Sequence, residues 1–204
     1  IFELPKQCFK IRDRIKVLQK RLRKQKKFSN NWKKSQEKIR KLHTKITKTR
    51  LDFLHKTSSE LVKNHDYITL EDLKIKNMSK SAKGSIEKPG KNVNAKSGLN
   101  REILFQGWGI FATQLTYKTM WNHGHLELVN PRFTSQTCSE CEYRDSGNRK
   151  GKVFSCLSCG HVEDADLNGA KNINRAGLAQ CACGDANVSS IRETRTSKRD
   201  AKAS

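Results

Sequence analysis

The sequence has few acidic residues, few aromatic residues and no long apolar run. Asp and Glu number 20 against 42 Lys and Arg, so the formal net charge is +22. Repulsion of this size destabilises a compact chain unless a polyanion offsets it, and nucleic acid is therefore the expected partner. A cationic protein of the membrane surface is the competing interpretation, but no apolar run is long enough to anchor one.

The low apolar content limits the size of the core. Apolar residues make up 34% and aromatic residues 7% of 204 residues, which suits one domain with a small appendage. The first residue is Ile1 rather than Met, and residues 1–5 do not form a signal peptide, so we expect a processed chain or a fragment. Seven cysteines in a Lys-rich chain, four of them in CxxC pairs, favour reduced thiols in a cytosolic compartment over a secreted disulfide scaffold.

Positive charge is concentrated in residues 1–64. This segment holds 21 Lys and Arg against 5 Asp and Glu, a formal charge of +16, and leaves +6 for the rest of the chain. Apolar residues recur at spacings of three and four on both sides of a polar break at residues 28–31, which predicts a helical hairpin. Like charges on one helix face repel, so a merely solvated face would mix signs. We expect this hairpin to bind nucleic-acid phosphates through Arg21, Arg23, Lys24, Lys26, Lys27, Lys33 and Lys34.

Residues 65–134 predict a mixed α/β segment. A short β-prone run ends at Glu71, and the polar residues 79–100 predict a loop. One amphipathic helix from Arg101 to Trp121 is predicted by the apolar residues Leu104, Trp108, Phe111, Leu115 and Met120, and residues 126–129 predict a strand.

The carboxy-terminal part predicts a short helix and then a tail. Within residues 162–180, the stretch from Asp166 to Arg175 is expected to be helical and to end at Gly177. Residues 181–204 are expected to be disordered, because they contain scarcely any large apolar residue.

Residues 135–161 carry the most specific pattern of the chain. Cys138 and Cys141 form one CxxC pair, Cys156 and Cys159 form a second, and 14 residues separate the pairs. Two such turns supply a closed tetrahedral set of four sulfurs, which predicts one structural Zn²⁺ ion in a zinc ribbon. The remaining cysteines are expected to be free thiols: Cys8, Cys181 and Cys183.

Three acidic residues admit two interpretations. An aspartate at a helix start, such as Asp164 or Asp166, commonly caps the helix, and Glu71 at a strand end can be a plain edge residue. The functional alternative is that Glu71 and Asp166 converge on Mg²⁺, where paired hard cations promote phosphodiester cleavage. Helical and strand periodicity alone do not show that these residues meet.

Three stretches, taken together and in order, resemble a known family. They are residues 69–78 (TLEDLKIKNM), residues 134–141 (TSQTCSEC) with the second CxxC pair, and residues 164–173 (DADLNGAKNI). The sequence resembles the OrfB/TnpB proteins of insertion sequences, relatives of the type V CRISPR effectors, from about residue 9 to about residue 178. The resemblance implies a partial α/β RuvC/RNase H-like domain with a basic amino-terminal helical hairpin and an inserted zinc ribbon.

The resemblance also implies roles and partners. Glu71 and Asp166 correspond to the second and third catalytic carboxylates, which hold Mg²⁺ in RNA-guided DNA endonucleases of mobile elements. The implied partners are DNA and a guide RNA, and the implied location is the nucleoid. The family's first carboxylate, an aspartate in a glycine-flanked strand, has no match at Asp13, Asp52 or Asp66. We therefore expect the nuclease half of such an enzyme, inactive alone, and the alternative is a non-catalytic zinc-ribbon remnant or regulator that binds nucleic acid.

Overall fold

The computed structural model describes residues 3–184, which fall into two compact units. Within these residues, the first unit comprises 3–66 and 75–123, and the second comprises 67–74 and 124–184. In the part of the chain that the structure describes, no helix is both long enough and apolar enough to cross a membrane. The predicted tail falls mostly on residues 185–204, which lie outside the described residues.

The first unit is helical. Its helices are α1 (Lys6–Arg23), α2 (Asn30–Asn64), α3 (Ile75–Met78), α4 (Val93–Gln106) and α5 (Trp108–Trp121). The apolar stripes that the sequence predicts for the first two helices form their contact: Ile11 and Ile15 of α1 are buried against Ile39 and Ile46 of α2. Burial of these branched side chains holds the two helices together and leaves their charged residues outside.

Helix α5 packs against α2 through a small set of buried groups. Leu115 is fully buried, and the hydroxyl of Ser58 lies 3.2 Å from the amide oxygen of Gln114. Lys118 donates to Ser58 and Ser59 at 2.7 and 2.9 Å. Removal from water lowers the pKa of Lys118.

Two predictions for residues 79–121 are wrong. The predicted loop 79–100 is interrupted because α4 already begins at Val93, and the predicted single helix from Arg101 is two helices. Gly107 separates them at a left-handed φ of +77°, a conformation that glycine adopts without steric cost. Leu104 of α4 and Met120 of α5 are exposed while Leu115 of α5 is buried, so the predicted residues do not form one buried stripe.

The second unit contains two sheets and one long helix. Strands β1 (Tyr67–Glu71) and β2 (His125–Val129) pair in parallel, with Glu71 opposite Val129. Strands β3 (Arg149–Lys150), β4 (Val153–Ser155) and β5 (Val162–Asp164) form an antiparallel sheet in that order. Gly151, at a φ of +65°, makes the turn between β3 and β4. Helix α6 (Ala165–Gly184) contacts both sheets.

The prediction that the last helix ends at Gly177 is wrong. Helix α6 continues to Gly184, and so it includes the first residues of the predicted tail. A Cβ atom built on Gly177 would lie 2.5 Å from the side chain of Thr69 on β1. Gly177 therefore permits close packing of α6 on the parallel sheet, a use of glycine that resembles a helix stop in sequence.

Candidate functional site

Four cysteine sulfurs of the second unit lie together, as the spacing of the CxxC pairs predicts. The Sγ atoms of Cys138, Cys141, Cys156 and Cys159 all lie within 4.8 Å of one another. The Cys138–Cys159 and Cys141–Cys156 separations are 3.7 and 3.6 Å. A tetrahedron with metal–sulfur bonds of about 2.3 Å has sulfur–sulfur edges of about 3.8 Å. The four thiols could therefore hold one metal ion.

Local backbone geometry prepares the sulfurs for a cation. The amide of Glu140 points at the sulfur of Cys138 at 3.4 Å, and the amides of Ser158 and Cys159 point at the sulfur of Cys156 at 3.4 and 3.5 Å. These hydrogen bonds stabilise thiolates. The amide of Cys159 is the main reason why the pKa of Cys156 falls to about 6.

The neighbouring sulfurs compete for negative charge when no cation is present. The amide of His161 lowers the pKa of Cys159, but the nearby sulfurs and burial outweigh that effect and raise it to about 12. One thiol of the cluster thus ionises easily and another resists ionisation, as expected for acidic groups that share a site. A bound cation removes this conflict.

The other cysteines stand apart from this cluster. Cys8 is a free thiol buried in the helical unit, where burial raises its pKa. Cys181 is also free, as predicted, while the side chain of Cys183 lies outside the described residues. His161 Nε2 lies 3.7 Å from Glu163, and the described metal-ligand group consists of the four cysteines.

Glu71 lies where β1 ends. Its Oε1 atom accepts a 2.7 Å hydrogen bond from the hydroxyl of Thr134. Thr134 lies between β2 and residues 135–161, which carry the four clustered cysteines and are called the cysteine module below. The amide of the next residue, Asp72, donates to the carbonyl of Val129 at 2.8 Å and so extends the parallel pairing past the strand end. These contacts fix the direction of the carboxylate.

Asp164 and Asp166 have different roles at the start of α6. Oδ1 of Asp164 accepts the amides of Asp166 and Leu167 at 2.9 and 3.2 Å, which is the geometry of a helix cap. The side chain of Asp166 is 71% exposed and accepts a 3.1 Å hydrogen bond from Arg149 of β3. The capping role therefore belongs to Asp164, and the carboxylate of Asp166 is available for other contacts.

The two predicted catalytic carboxylates line one cleft. Glu71 and Asp166 both border a cavity of about 370 Å³, together with Thr134 and Arg149. Among the described residues that line it, these two supply the carboxylates. Carboxylate and hydroxyl oxygens are ligands for hard divalent cations.

Three buried asparagines, not predicted from the sequence, hold the cysteine module in place: Asn148 lies within it, and Asn168 and Asn172 of α6 bond to it from outside. Asn168 of α6 accepts the amide of Ser139 at 2.9 Å and donates to the carbonyl of Thr137 at 2.8 Å. Asn172 donates to the carbonyls of Thr134 and Thr137 at 2.9 and 2.6 Å. Asn148 accepts the amide of Leu157 at 3.0 Å. The sequence does contain a signal for Asn168 and Asn172, which are spaced i, i+4 inside a predicted helix. Asparagine has a low helix propensity, so two on one helix face suggest side chains with specific partners.

The basic residues predicted to bind nucleic acid lie on the surface of the first unit, at the end of α1, in the loop that follows it and at the start of α2. All seven are exposed: Arg21, Arg23, Lys24, Lys26, Lys27, Lys33 and Lys34. None of them carries an acidic partner within 4 Å among the ion pairs of residues 3–184.

Two family models match the chain. Residues 1–82 match the OrfB_IS605 family, described as "Probable transposase", and residues 108–173 match the "Cas12f1-like, TNB domain". The chain is 46% identical over 186 residues to the Escherichia coli (strain K12) protein named "Putative RNA-guided DNA endonuclease InsQ", covering 91% of this chain and 46% of that protein. It is 33% identical over 207 residues to "Putative RNA-guided DNA endonuclease" of Streptomyces pristinaespiralis, covering 98% of this chain and 45% of that protein.

The fold is also similar to a solved structure. A chain of the "Cas12f1-sgRNA-target DNA complex" superposes with a TM-score of 0.54 at 18% identity, covering 82% of this chain and 41% of that chain. The mixed α/β architecture is therefore similar to that of a Cas12 effector. The chain spans less than half the length of these relatives.

Proposed function

Because the chain belongs to the OrfB/TnpB family of transposon-encoded proteins, we propose that it is the nuclease half of an RNA-guided DNA endonuclease. The observation that carries this proposal is the cleft that Glu71 and Asp166 share. The two side chains come from a strand end and a helix start that are 95 positions apart in sequence. A carboxylate pair that converges from such distant elements on one cleft suits metal-dependent chemistry on phosphodiesters.

The donor atoms in the cleft fit Mg²⁺. Glu71 keeps Oε2 free of the Thr134 contact, and Asp166 is exposed at the start of α6. When bound there, Mg²⁺ would activate a water molecule and stabilise the leaving oxygen of a phosphodiester. Thr134 orients Glu71, and the guanidinium of Arg149 neutralises Asp166 until a cation or a phosphate group competes for one of them.

We assign a structural zinc ion to Cys138, Cys141, Cys156 and Cys159. Four sulfurs complete a tetrahedral shell and leave no position for a substrate. The buried ring of Phe154 and the start of α6 at Ala165 pack against this cluster. The ion would hold the three-stranded sheet and thereby fix Arg149 relative to Asp166. The resulting unit is a zinc ribbon inserted in a partial RuvC-like domain.

We assign the nucleic-acid surface to the basic helical hairpin formed by α1 and α2. The two helices share an apolar core and expose a cluster of seven basic residues around residues 21–34. Such a surface attracts phosphates without reading sequence. Target DNA and guide RNA are the proposed partners, and the proposed location is the cytoplasm at the nucleoid.

The coding DNA upstream of Ile1 provides the first test. An in-frame aspartate in a glycine-flanked strand would supply the first carboxylate of the family. The longer protein should then cut DNA with Mg²⁺ and its guide RNA. Glu71→Gln or Asp166→Asn in that protein should abolish cutting and retain DNA binding. Cutting that survives both substitutions would refute the assignment of the site.

A non-catalytic function is the second candidate. The pairing of Asp166 with Arg149 favours it, because a guanidinium held on the carboxylate opposes the approach of a metal cation. In this case the chain is a zinc-ribbon remnant or regulator that occupies nucleic acid. No upstream aspartate, together with DNA binding unaffected by Mg²⁺ and by Glu71→Gln, would support this alternative.

A further inference from the structure

The loop between α1 and α2 presents an aromatic side chain to solvent. Helix α1 ends at Arg23 and α2 begins at Asn30, so residues 24–29 form the connection. Phe28 has a left-handed φ of +65°, and its side chain is 74% exposed. A bulky residue in this region of φ is strained, and an exposed ring gains little from burial. Stability alone therefore does not explain phenylalanine at this position.

Phe28 lies beside a second aromatic ring. The ring of Trp32, in the first turn of α2, lies 5.4 Å from the Phe28 ring with an interplanar angle of 54°. The hydroxyl of Ser29 accepts the amide of Trp32 at 3.3 Å and caps α2, which fixes the backbone between the two rings. The purely structural explanation of such a pair is an apolar contact that stabilises the first turn of the helix. It requires no aromatic rings and does not require Phe28 to remain three quarters exposed.

The charge around the two rings is of one sign. Residues 20–34 contain eight Lys and Arg and no Asp or Glu. All eight basic side chains are exposed: Lys20, Arg21, Arg23, Lys24, Lys26, Lys27, Lys33 and Lys34. The first turn of α2 also has no acidic residue. This surface therefore combines aromatic rings with a positive field, the combination that binds single-stranded nucleic acid.

We propose that Phe28 and Trp32 form a stacking platform for an unpaired base of a single-stranded nucleic acid. The surrounding lysines and arginines hold the phosphates on both sides of that base. The strained backbone of Phe28 positions its ring outward, next to Trp32 and above the basic loop. This inference rests on the proposed nucleic-acid surface and adds that the surface distinguishes an exposed base from a phosphate backbone.

The test compares two probes that differ only in whether bases are present. A short oligothymidylate and a phosphate–sugar strand of the same length without bases are titrated against the whole chain at one salt concentration. In the double variant Phe28→Leu/Trp32→Leu, the apolar contact is retained and the aromatic faces are lost. Its affinity for oligothymidylate should fall at least about fivefold, and its affinity for the abasic strand should not change.

A second variant separates stacking from folding. Asparagine adopts a positive φ readily, so Phe28→Asn should raise the thermal stability of the chain and still weaken oligothymidylate binding. Trp121→Leu is the positional control, because Trp121 is 72% exposed at the end of α5. It should leave both affinities unchanged.

The outcomes distinguish the two proposals. If the unmodified chain binds neither probe, the proposed nucleic-acid surface is wrong. If the chain binds both probes and the Leu double variant loses nothing, or loses equally on the abasic strand, the stacking platform is refuted. If Trp121→Leu loses as much oligothymidylate binding as the Leu double variant, the assignment of the stacking platform to the loop between α1 and α2 is refuted.

Discussion

Arg149 and Asp166 join the three-stranded sheet of the cysteine module to the proposed catalytic cleft. The guanidinium on β3 donates to the carboxylate at the start of α6 at 3.1 Å, and both residues line the cleft that contains Glu71. The cation that balances Asp166 in this structure is therefore a protein side chain from the cysteine module. This contact gives Arg149 a direct influence on any metal that binds to Asp166.

Replacement of Arg149 by glutamine should strengthen divalent metal binding in the cleft. The pair is largely exposed, and such pairs contribute about 0–1 kcal/mol, so the gain should not exceed about fivefold. The affinity for Mn²⁺, measured by electron paramagnetic resonance, tests this prediction. Arg144→Gln is the matched control, since Arg144 lies over the ring of Phe133 and does not line this cleft. Equal Mn²⁺ affinities in the Arg149 variant and the unmodified chain would contradict the prediction.

Purified protein should contain close to one zinc ion per chain. Cys138→Ser or Cys159→Ser should lose it, because each removes one of four sulfurs that lie within 4.8 Å of one another. Metal analysis provides the measurement, and Cys8→Ser, which alters a thiol in the other unit, should retain the ion. Well-folded protein without zinc would refute the assignment.

Removal of zinc by a chelator should also unfold the ribbon. Metal binding supplies much of the folding free energy of a module this small. Because thiols must lose protons to bind zinc, the ion should dissociate more easily as the pH falls. Loss of protection against hydrogen exchange in residues 135–161 should accompany zinc removal.

Gly177→Ala should destabilise the second unit by about 1–3 kcal/mol. The new methyl group would lie 2.5 Å from the side chain of Thr69, a stiff β-branched residue on β1. Gly169→Ala in the same helix is the matched control, because a Cβ there meets nothing within 4 Å. That change should stabilise the helix by about 0.5–1 kcal/mol. Chemical denaturation compares the variants, and Thr69→Ala should restore part of the loss in Gly177→Ala.

The sequence predicts local features well and tertiary features poorly. The grouping of four cysteines could be predicted because two residues between thiols fix the geometry of each pair within one turn. The strand that ends at Glu71 could be predicted from its β-prone residues. The contacts of Thr134 with Glu71 and of Arg149 with Asp166 could not, since each depends on how separate elements pack.

Two of the errors in helix boundaries occur at glycine residues. Gly177 and Gly107 give the same sequence signal, yet Gly177 lies inside α6 and Gly107 ends α4. The difference is the neighbour: the backbone of Gly177 faces Thr69, while Gly107 adopts a positive φ. Tertiary packing decides whether a glycine ends a helix or lies inside one, and a single sequence does not show that packing.

Nucleic-acid binding by this chain should depend steeply on salt. Each phosphate contacted on duplex DNA adds about 0.9 to the slope of log affinity against log salt. Replacing Arg21, Arg23, Lys24, Lys26 and Lys27 by glutamine should flatten this slope, because all five side chains are exposed on one loop and helix end. A comparable number of substitutions at Lys74, Lys80, Lys83, Lys88 and Lys91 serves as the charge-matched control. An unchanged slope in the first variant would mean that the contact surface lies elsewhere.

The chain alone should not cut DNA with Mg²⁺ or Mn²⁺, with or without a guide RNA. Two-metal hydrolysis needs enough anionic oxygens to hold two cations about 4 Å apart. Within residues 3–184 the cleft offers the carboxylates of Glu71 and Asp166, and Arg149 already neutralises the second. Nicking of supercoiled plasmid is the measurement, with Glu71→Gln as the control for contaminating nucleases.

The opposite result would identify a further acid in the site. Metal-dependent cutting that disappears in both Glu71→Gln and Asp166→Asn would mean that another carboxylate completes the cation shell. Asp164 is the acid nearest to Asp166 in sequence, but its Oδ1 accepts two amides at the start of α6. Asp164→Asn would then separate its roles: asparagine also caps helices, so helix stability should survive while cutting is lost. Cutting that survives this variant would exclude Asp164 as the third ligand.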